Sequence, residues 1–199
     1  MSSDLFLYKR DLADVTMGAE VVLALTSPAS TEKASILRFA DEKRRQRRAA
    51  ELVFRGRHDN DSRCWEIEGR TGTIAVRLSE VSVPSLIAIY HSIHNASSPR
   101  ADTTPRLVTV WALDLAQDSP AMDPYRRPIL DFIISGRSVP NDIKHQGVIK
   151  LLDFELAQRS RVPVQIFPVP VSLRTNLIIV QLRDNWGGER TCIHRIGVY

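Results

Sequence analysis

Cysteine and histidine are the side chains here best suited to metal, redox or nucleophilic chemistry. The chain has two cysteines, Cys64 and Cys192, and His91 and His94 lie three positions apart, with His58 elsewhere. On paper these assemble into a metal donor set. Yet His91 directly follows an apolar strand-like run, and a strand sends alternate residues to opposite sides, so positions three apart do not converge. No phosphate-cradling Gly-x-x-x-x-Gly-Lys-Ser/Thr loop occurs, nor a Gly-x-Ser-x-Gly elbow, a His-Glu-x-x-His pair or a dinucleotide-type glycine motif. The expectation is therefore a protein that is not an enzyme and requires no cofactor. Asp59-Asn60-Asp61-Ser62 looks like part of a calcium loop but lacks the later bidentate glutamate, and reads as a plain turn. By spacing alone, the cysteines fit a disulfide or two reduced core thiols equally well.

At 199 residues and 43% apolar content, one well-buried domain over 1–199 is the default. No run approaches the roughly 18 to 20 apolar residues of a bilayer span, and no charged start leads into an apolar signal core. Any membrane association is thus expected only through segments outside this sequence. The balance of 27 basic against 23 acidic residues gives only +4, and the high pI of about 9.3 comes largely from the cluster Lys43-Arg44-Arg45-Gln46-Arg47-Arg48. No aromatic interleaves that cluster, so no nucleic-acid partner is expected. It reads first as a solvated face and second as an anionic docking site. Two sequons, Asn60-Asp61-Ser62 and Asn95-Ala96-Ser97, are usable only in a secretory compartment.

Eight β-type runs must position whatever site exists: 20–25, 73–78, 86–90, 107–111, 148–155, 162–167, 177–183 and 191–198. Ile74-Val76-Leu78 and Ile178-Val180-Leu182 alternate, which predicts one apolar face inward and a polar face toward water. Together they predict an all-β fold, a β-sandwich of jelly-roll, galactose-binding-like type. The stretch from about Thr31 to Leu52 is helix-prone instead. Residues from about 114 to 146, with Pro120, Pro124, Pro128 and Pro140, lack periodicity and are expected to form a mobile insertion, within which Ile129 to Ile134 can fold back as an edge strand or helical turn.

Four ordered segments carry a resemblance. They are Asp11-Leu12-Ala13 with Gly18-Ala19-Glu20-Val21-Val22; Cys64-Trp65 followed by Gly69-Arg70-Thr71-Gly72 and a strand ending Arg77-Leu78-Ser79; Thr103-Thr104-Pro105-Arg106 entering a strand; and Asn185-Trp186-Gly187 followed by Thr191-Cys192-Ile193. Together they resemble the SUN domain of proteins that bridge the nuclear envelope. Fungal members of that family carry an insertion where this chain has residues 114–146. The resemblance implies a Cys64–Cys192 disulfide, consistent with an oxidising lumen. It further implies an inner nuclear membrane protein whose domain lies in the perinuclear space, binds the C-terminal peptide of a KASH protein and works as a homotrimer in the full-length protein. Without a visible coiled-coil heptad, this chain by itself is expected to be monomeric.

The implied site follows residue by residue. The KASH-peptide carboxylate pocket falls on His91, on Thr103 or Thr104, and on Arg190, which stands where animal members place a tyrosine. The lid that pairs with the peptide falls over about 26–54, as two short arms around Ser35 to Phe39, carrying Ile36, Leu37 and Phe39, and Glu51 to Phe54, with a helical or mobile tip between them. A cation loop over 53–64 implies a monovalent ion, potassium or sodium, held by backbone carbonyls of Val53, Gly56, His58, Arg63 and His194. Thr26 occupies the place where animal members carry a cysteine that bonds covalently to the peptide, so binding here must be non-covalent. The alternative is a divergent SUN-like domain of the endoplasmic reticulum that binds a folded client or a glycan.

Overall fold

The computed structural model describes residues 9–30, 39–56, 63–90, 102–115, 126–158 and 162–199. Its largest sheet has six strands in the order β1-β3-β9-β5-β7-β6: β1 (Glu20–Val21), β3 (Gly72–Ser82), β9 (Thr175–Asn185), β5 (Pro105–Leu113), β7 (Gly147–Glu155) and β6 (Arg126–Pro128). All its pairings are antiparallel. Two smaller sheets face it: β11 (Arg195–Val198), β4 (Leu86–Tyr90) and β8 (Val164–Pro168) form one, and β10 (Arg190–Ile193) with β2 (Trp65–Glu68) the other. The result is the β-sandwich that the alternating sequence implies.

Between the sheets lies the main core, where Ile74, Val76 and Leu78 of β3, Ile178, Val180 and Leu182 of β9, and Val108 and Val110 of β5 meet Ile87, Ile89, Ile196, Val198 and Trp65. The other face of the large sheet is not polar and wet as the alternation suggested. Leu177 and Ile179 of β9, with Ala75, Trp111 and Leu113, are buried in a second cluster beneath Ile129, Phe132 and Ile143. Trp111 meets Phe132 edge to face at 5.3 Å between ring centroids and donates from Nε1 to Gln181. Residues 126–146 of the expected insertion are packed on this face, and the fold-back at Ile129–Phe132 is a helical turn. These form β6 and a 3-10 turn at Ile129–Phe132, then run across the sheet. Arg137 pins them by donating to the carbonyl oxygens of Leu23 and Thr26, and Ile134 N–H reaches the Ala24 carbonyl at 3.0 Å. A cover is needed because β9 carries aliphatic residues on both faces.

The helix-prone stretch between the expected lid arms is helical, whereas the second arm at 51–54 is not a strand. Phe39–Glu51 forms helix α1, followed by a 3-10 turn at Leu52–Phe54 in place of the second arm. Ala50, Val53 and Phe54 are at most 1% exposed and belong to the main core. Ala, Glu, Lys, Arg and Gln over this stretch favour helix over a strand. Gln46, itself buried, ties the helix to Ala29 by accepting its N–H at 2.5 Å.

The chain ends close the sandwich together. Asp11 accepts from Arg195 at 2.8 Å and from the Val198 N–H at 3.1 Å, and the Tyr90 and Tyr199 hydroxyls lie 3.2 Å apart. Burial, then the bond to Tyr90, pushes the Tyr199 phenol well above its ordinary range. A phenol whose folded pKa is raised contributes stability that is complete below its unfolded pKa of about 10 and is lost as pH rises beyond it. Denaturant melts should therefore show stability falling above about pH 10, with a shallower fall in Tyr199→Phe. Truncating Phe54 or Phe132 to Ala should cost about 3 to 5 kcal/mol, against less than about 0.5 kcal/mol for the exposed Val81→Ala.

Candidate functional site

The four segments that carry the resemblance include three that converge at one end of the sandwich. Cys64, just before β2, is bonded to Cys192 of β10, with Cα atoms 5.6 Å apart. Since β2 and β10 pair antiparallel from Trp65↔Ile193 to Glu68↔Arg190, the bond clamps the open end of a two-stranded ribbon. The strand register and the bond thus fix the same geometry twice.

Asn185, the last residue of β9, organises the loop that leads into that ribbon. Its side chain is 2% exposed; Nδ2 donates to the carbonyls of Gly188 and Arg190 and lies 3.0 Å from Thr191 Oγ1, while Oδ1 accepts from Gly187 N–H. Thr191 in turn donates to the Gly69 carbonyl at 2.8 Å, joining the loop to the turn after β2. Gly187 adopts φ 114°, which a residue with a Cβ rarely reaches, so Asn-x-Gly is required locally. Gly72 fits for a different reason: a Cβ there would stand 2.4 Å from Ile67 Cδ1.

The segment before β5 packs on this loop. Trp186 N–H donates to Thr104 C=O and Gly188 N–H to Asp102 C=O, at 3.3 and 3.1 Å. The Trp186 indole donates to the Leu156 carbonyl, and the Arg106 guanidinium lies 4.9 Å over its ring. Thr103 and Thr104, at the entry to β5, are half-buried. Arg190 itself is not a waiting clamp. Its guanidinium pairs with Glu66 at 2.9 Å and Glu68 at 3.4 Å across the β2–β10 ribbon. Any carboxylate arriving there must compete with both, or join them by opening the pair.

A cleft of about 390 Å³ of mixed polar and apolar lining opens beside that ion pair, bordered by Ser27, Pro28, Ala29, Ser30, Ile67, Glu68 and Thr71. The segment 27–30 runs along the free edge of β2, since Ser30 N–H donates to Glu66 C=O and Ser30 Oγ to Glu68. Glu68, at the cleft edge, is held by both Arg190 and Ser30. Thr26 is buried and structural, donating to Val22 C=O at 2.9 Å and accepting from Ala75 N–H at 3.1 Å.

His91, Ile36, Leu37 and His58 lie outside the described residues, and Phe39 is described only as the first residue of α1. Of the implied cation ligands, Val53 sits in the 3-10 turn, and Gly56 lies against Asp14, whose Oδ2 would be 2.9 Å from a Cβ there. Arg63 and His194 flank the disulfide, and His194 Nδ1 is 3.2 Å from the Arg63 carbonyl, so a ring N–H there would occupy one of the oxygens an ion needs. No group of three or more acidic, histidine or cysteine side chains fit to hold a metal occurs among the described residues. Sequence reasoning missed Asn185 as the organiser and Arg106 as the partner of Trp186. The Asn-x-Gly turn signal was present for the first; nothing local signals the second.

Fold and site together define a galactose-binding-like β-sandwich with a disulfide-clamped loop end. The solved structures it resembles include the family 32 carbohydrate-binding module of Streptococcus pneumoniae EndoD (10% identity, TM-score 0.55, 96% of this chain and 99% of that one). The family 32 module of Clostridium perfringens NanJ, solved with galactose, is similar at 8% identity and TM-score 0.55, over 94% of this chain and 97% of that one. Allantoicase of Saccharomyces cerevisiae matches at 13% identity and TM-score 0.55 over 95% of this chain, which spans only 42% of the allantoicase. No protein-family model and no curated protein matches the sequence.

Asn185→Ala should destabilise the domain by about 2 to 3 kcal/mol, because it orphans buried carbonyls, and Asn185→Asp should be no better, since an anion then faces them. Replacing both cysteines by serine should cost about 2 to 5 kcal/mol in denaturant melts, matched by adding reductant to the native protein.

Proposed function

We propose that this chain is a SUN-type domain that binds the C-terminal peptide of a KASH protein in the perinuclear space, without catalysing a reaction. The observation that supports the reading best is the junction at the Asn185 loop. The disulfide, the Asn-Trp-Gly turn and the Thr103–Pro105 segment, each a separate part of the resemblance, meet at one end of the sandwich. A peptide there would gain affinity from main-chain pairing and specificity from donors around its terminal carboxylate, which is costly to bury unpaired. Thr103, Thr104 and His91 are the proposed donors, with Arg190 reached only by opening its pair with Glu66 and Glu68. Trimerisation and a monovalent cation in the 53–64 loop belong to the same reading. The glycan alternative draws on the sandwich alone: Trp65 and Trp111 are buried, and Arg106 lies over one face of the half-buried Trp186.

Calorimetric titration with a KASH C-terminal peptide tests it. Binding of the free acid is expected, with at least a tenfold loss on amidation, equivalent to about 1.4 kcal/mol, and a comparable loss in His91→Ala. Equal binding of acid and amide, or binding of galactose with none of the peptide, would overturn the reading.

A further inference from the structure

Helix α1 concentrates cations: five stand between its end acids, Asp41 and Glu42 at the start and Glu51 at the finish, for a net of +2 against +4 for the whole protein. Lys43, Arg44, Arg45, Arg47 and Arg48 account for five of the 27 basic residues, and without them the chain would carry one more acid than base. Lys43, Arg44 and Arg48 are exposed and Arg45 and Arg47 half-buried; none of the five makes a side-chain ion pair or hydrogen bond within the described residues. Like charges four apart on a helix repel, as in Lys43/Arg47 and Arg44/Arg48, so the arrangement opposes helix formation. The helix's acids, Asp41, Glu42 and Glu51, stand at its two ends, and none lies within the run 43–48 itself. Here the opposite face is anchored, by the buried Gln46 on Ala29 and by Ala50 in the core, so the cations stand on a fixed ridge.

We propose that this ridge is a docking surface for an extended acidic segment of a protein partner. Residues four apart on a helix rise about 6 Å, close to the roughly 6.7 Å between same-face residues of a strand, so two rows of cations can meet alternate carboxylates. Four of the five are arginine, whose planar fork takes carboxylates bidentately. Two other anionic occupants fit less well. Nucleic acid lacks stacking aromatics, since none lies between residues 41 and 51. A bilayer lacks an apolar helix face to receive, because Ala50, Val53 and Phe54 are spent in the core. The ridge also adjoins the proposed peptide site: Gln46 binds Ala29, and Ser30 of the same segment binds the β2 strand that pairs with Arg190. The inference rests on the peptide-binding reading for its occupant and assigns to that partner an acidic stretch upstream of its terminus.

An end-capped decaglutamate, which has no terminal carboxylate, separates the ridge from the carboxylate pocket. Fluorescence anisotropy with the whole chain should show binding that weakens at least tenfold in Arg44→Gln/Arg48→Gln. The charge-matched Lys144→Gln/Arg174→Gln, at exposed positions elsewhere, should retain it. Unchanged thermal melts of both variants would confirm that the fold persists. Equal losses in the two variants, or no binding at low salt, would overturn the proposal. So would tighter binding to phosphatidylserine vesicles or to single-stranded DNA than to the peptide. Failure of the KASH-peptide titration alone would leave the decaglutamate result standing, and the converse holds equally.

Discussion

Burial of both faces of strand β9 is the constraint on which the rest depends. Leu177-Ile178-Ile179-Val180 sends aliphatic side chains to opposite sides, and a strand so composed is stable only between two layers. The two small sheets supply one layer and residues 126–146, with the turn at Leu23–Leu25, supply the other. Held between them, β9 delivers Asn185 to a fixed place at its end. The loop, the disulfide ribbon and the Thr103–Thr104 segment all take their position from that residue.

From that anchor the site acquires its electrostatic character. The ribbon end is acidic on one strand and basic on the other, with Arg190 between Glu66 and Glu68. Such a network is exposed enough to rearrange cheaply. A ligand carboxylate that took Arg190 would release two glutamates to solvent rather than strand them in a dry interior. The cationic helix α1 lies on the other side of the 27–30 segment, so two oppositely biased surfaces flank the same cleft.

Much of the sandwich was legible because it depends on local alternation. The runs at 73–78, 86–90, 107–111, 148–155 and 177–183 all became strands, each within a few residues of its expected ends. What was not legible depends on docking. Ile129, Phe132 and Ile143 are isolated among prolines and polar residues, without any period, and their burial is decided by Leu177 and Ile179 far along the chain. The expected lid arm at 51–54 failed for a related reason: Val53 and Phe54 look like strand residues but complete the core beside β11. The cysteine pair was undecided by spacing and pointed to by the family resemblance. The structure then showed why the pair suits a ribbon whose register already brings the two ends together.

The most direct test of the account is amide chemical-shift mapping of the isotope-labelled chain with a free-acid KASH C-terminal peptide. The account predicts that the largest perturbations fall on the amides of Gly187, Gly188, Thr191 and Thr104, with little change on the covered face at Ile129 and Phe132. Perturbations confined to other surfaces, or none at saturating peptide, would contradict it.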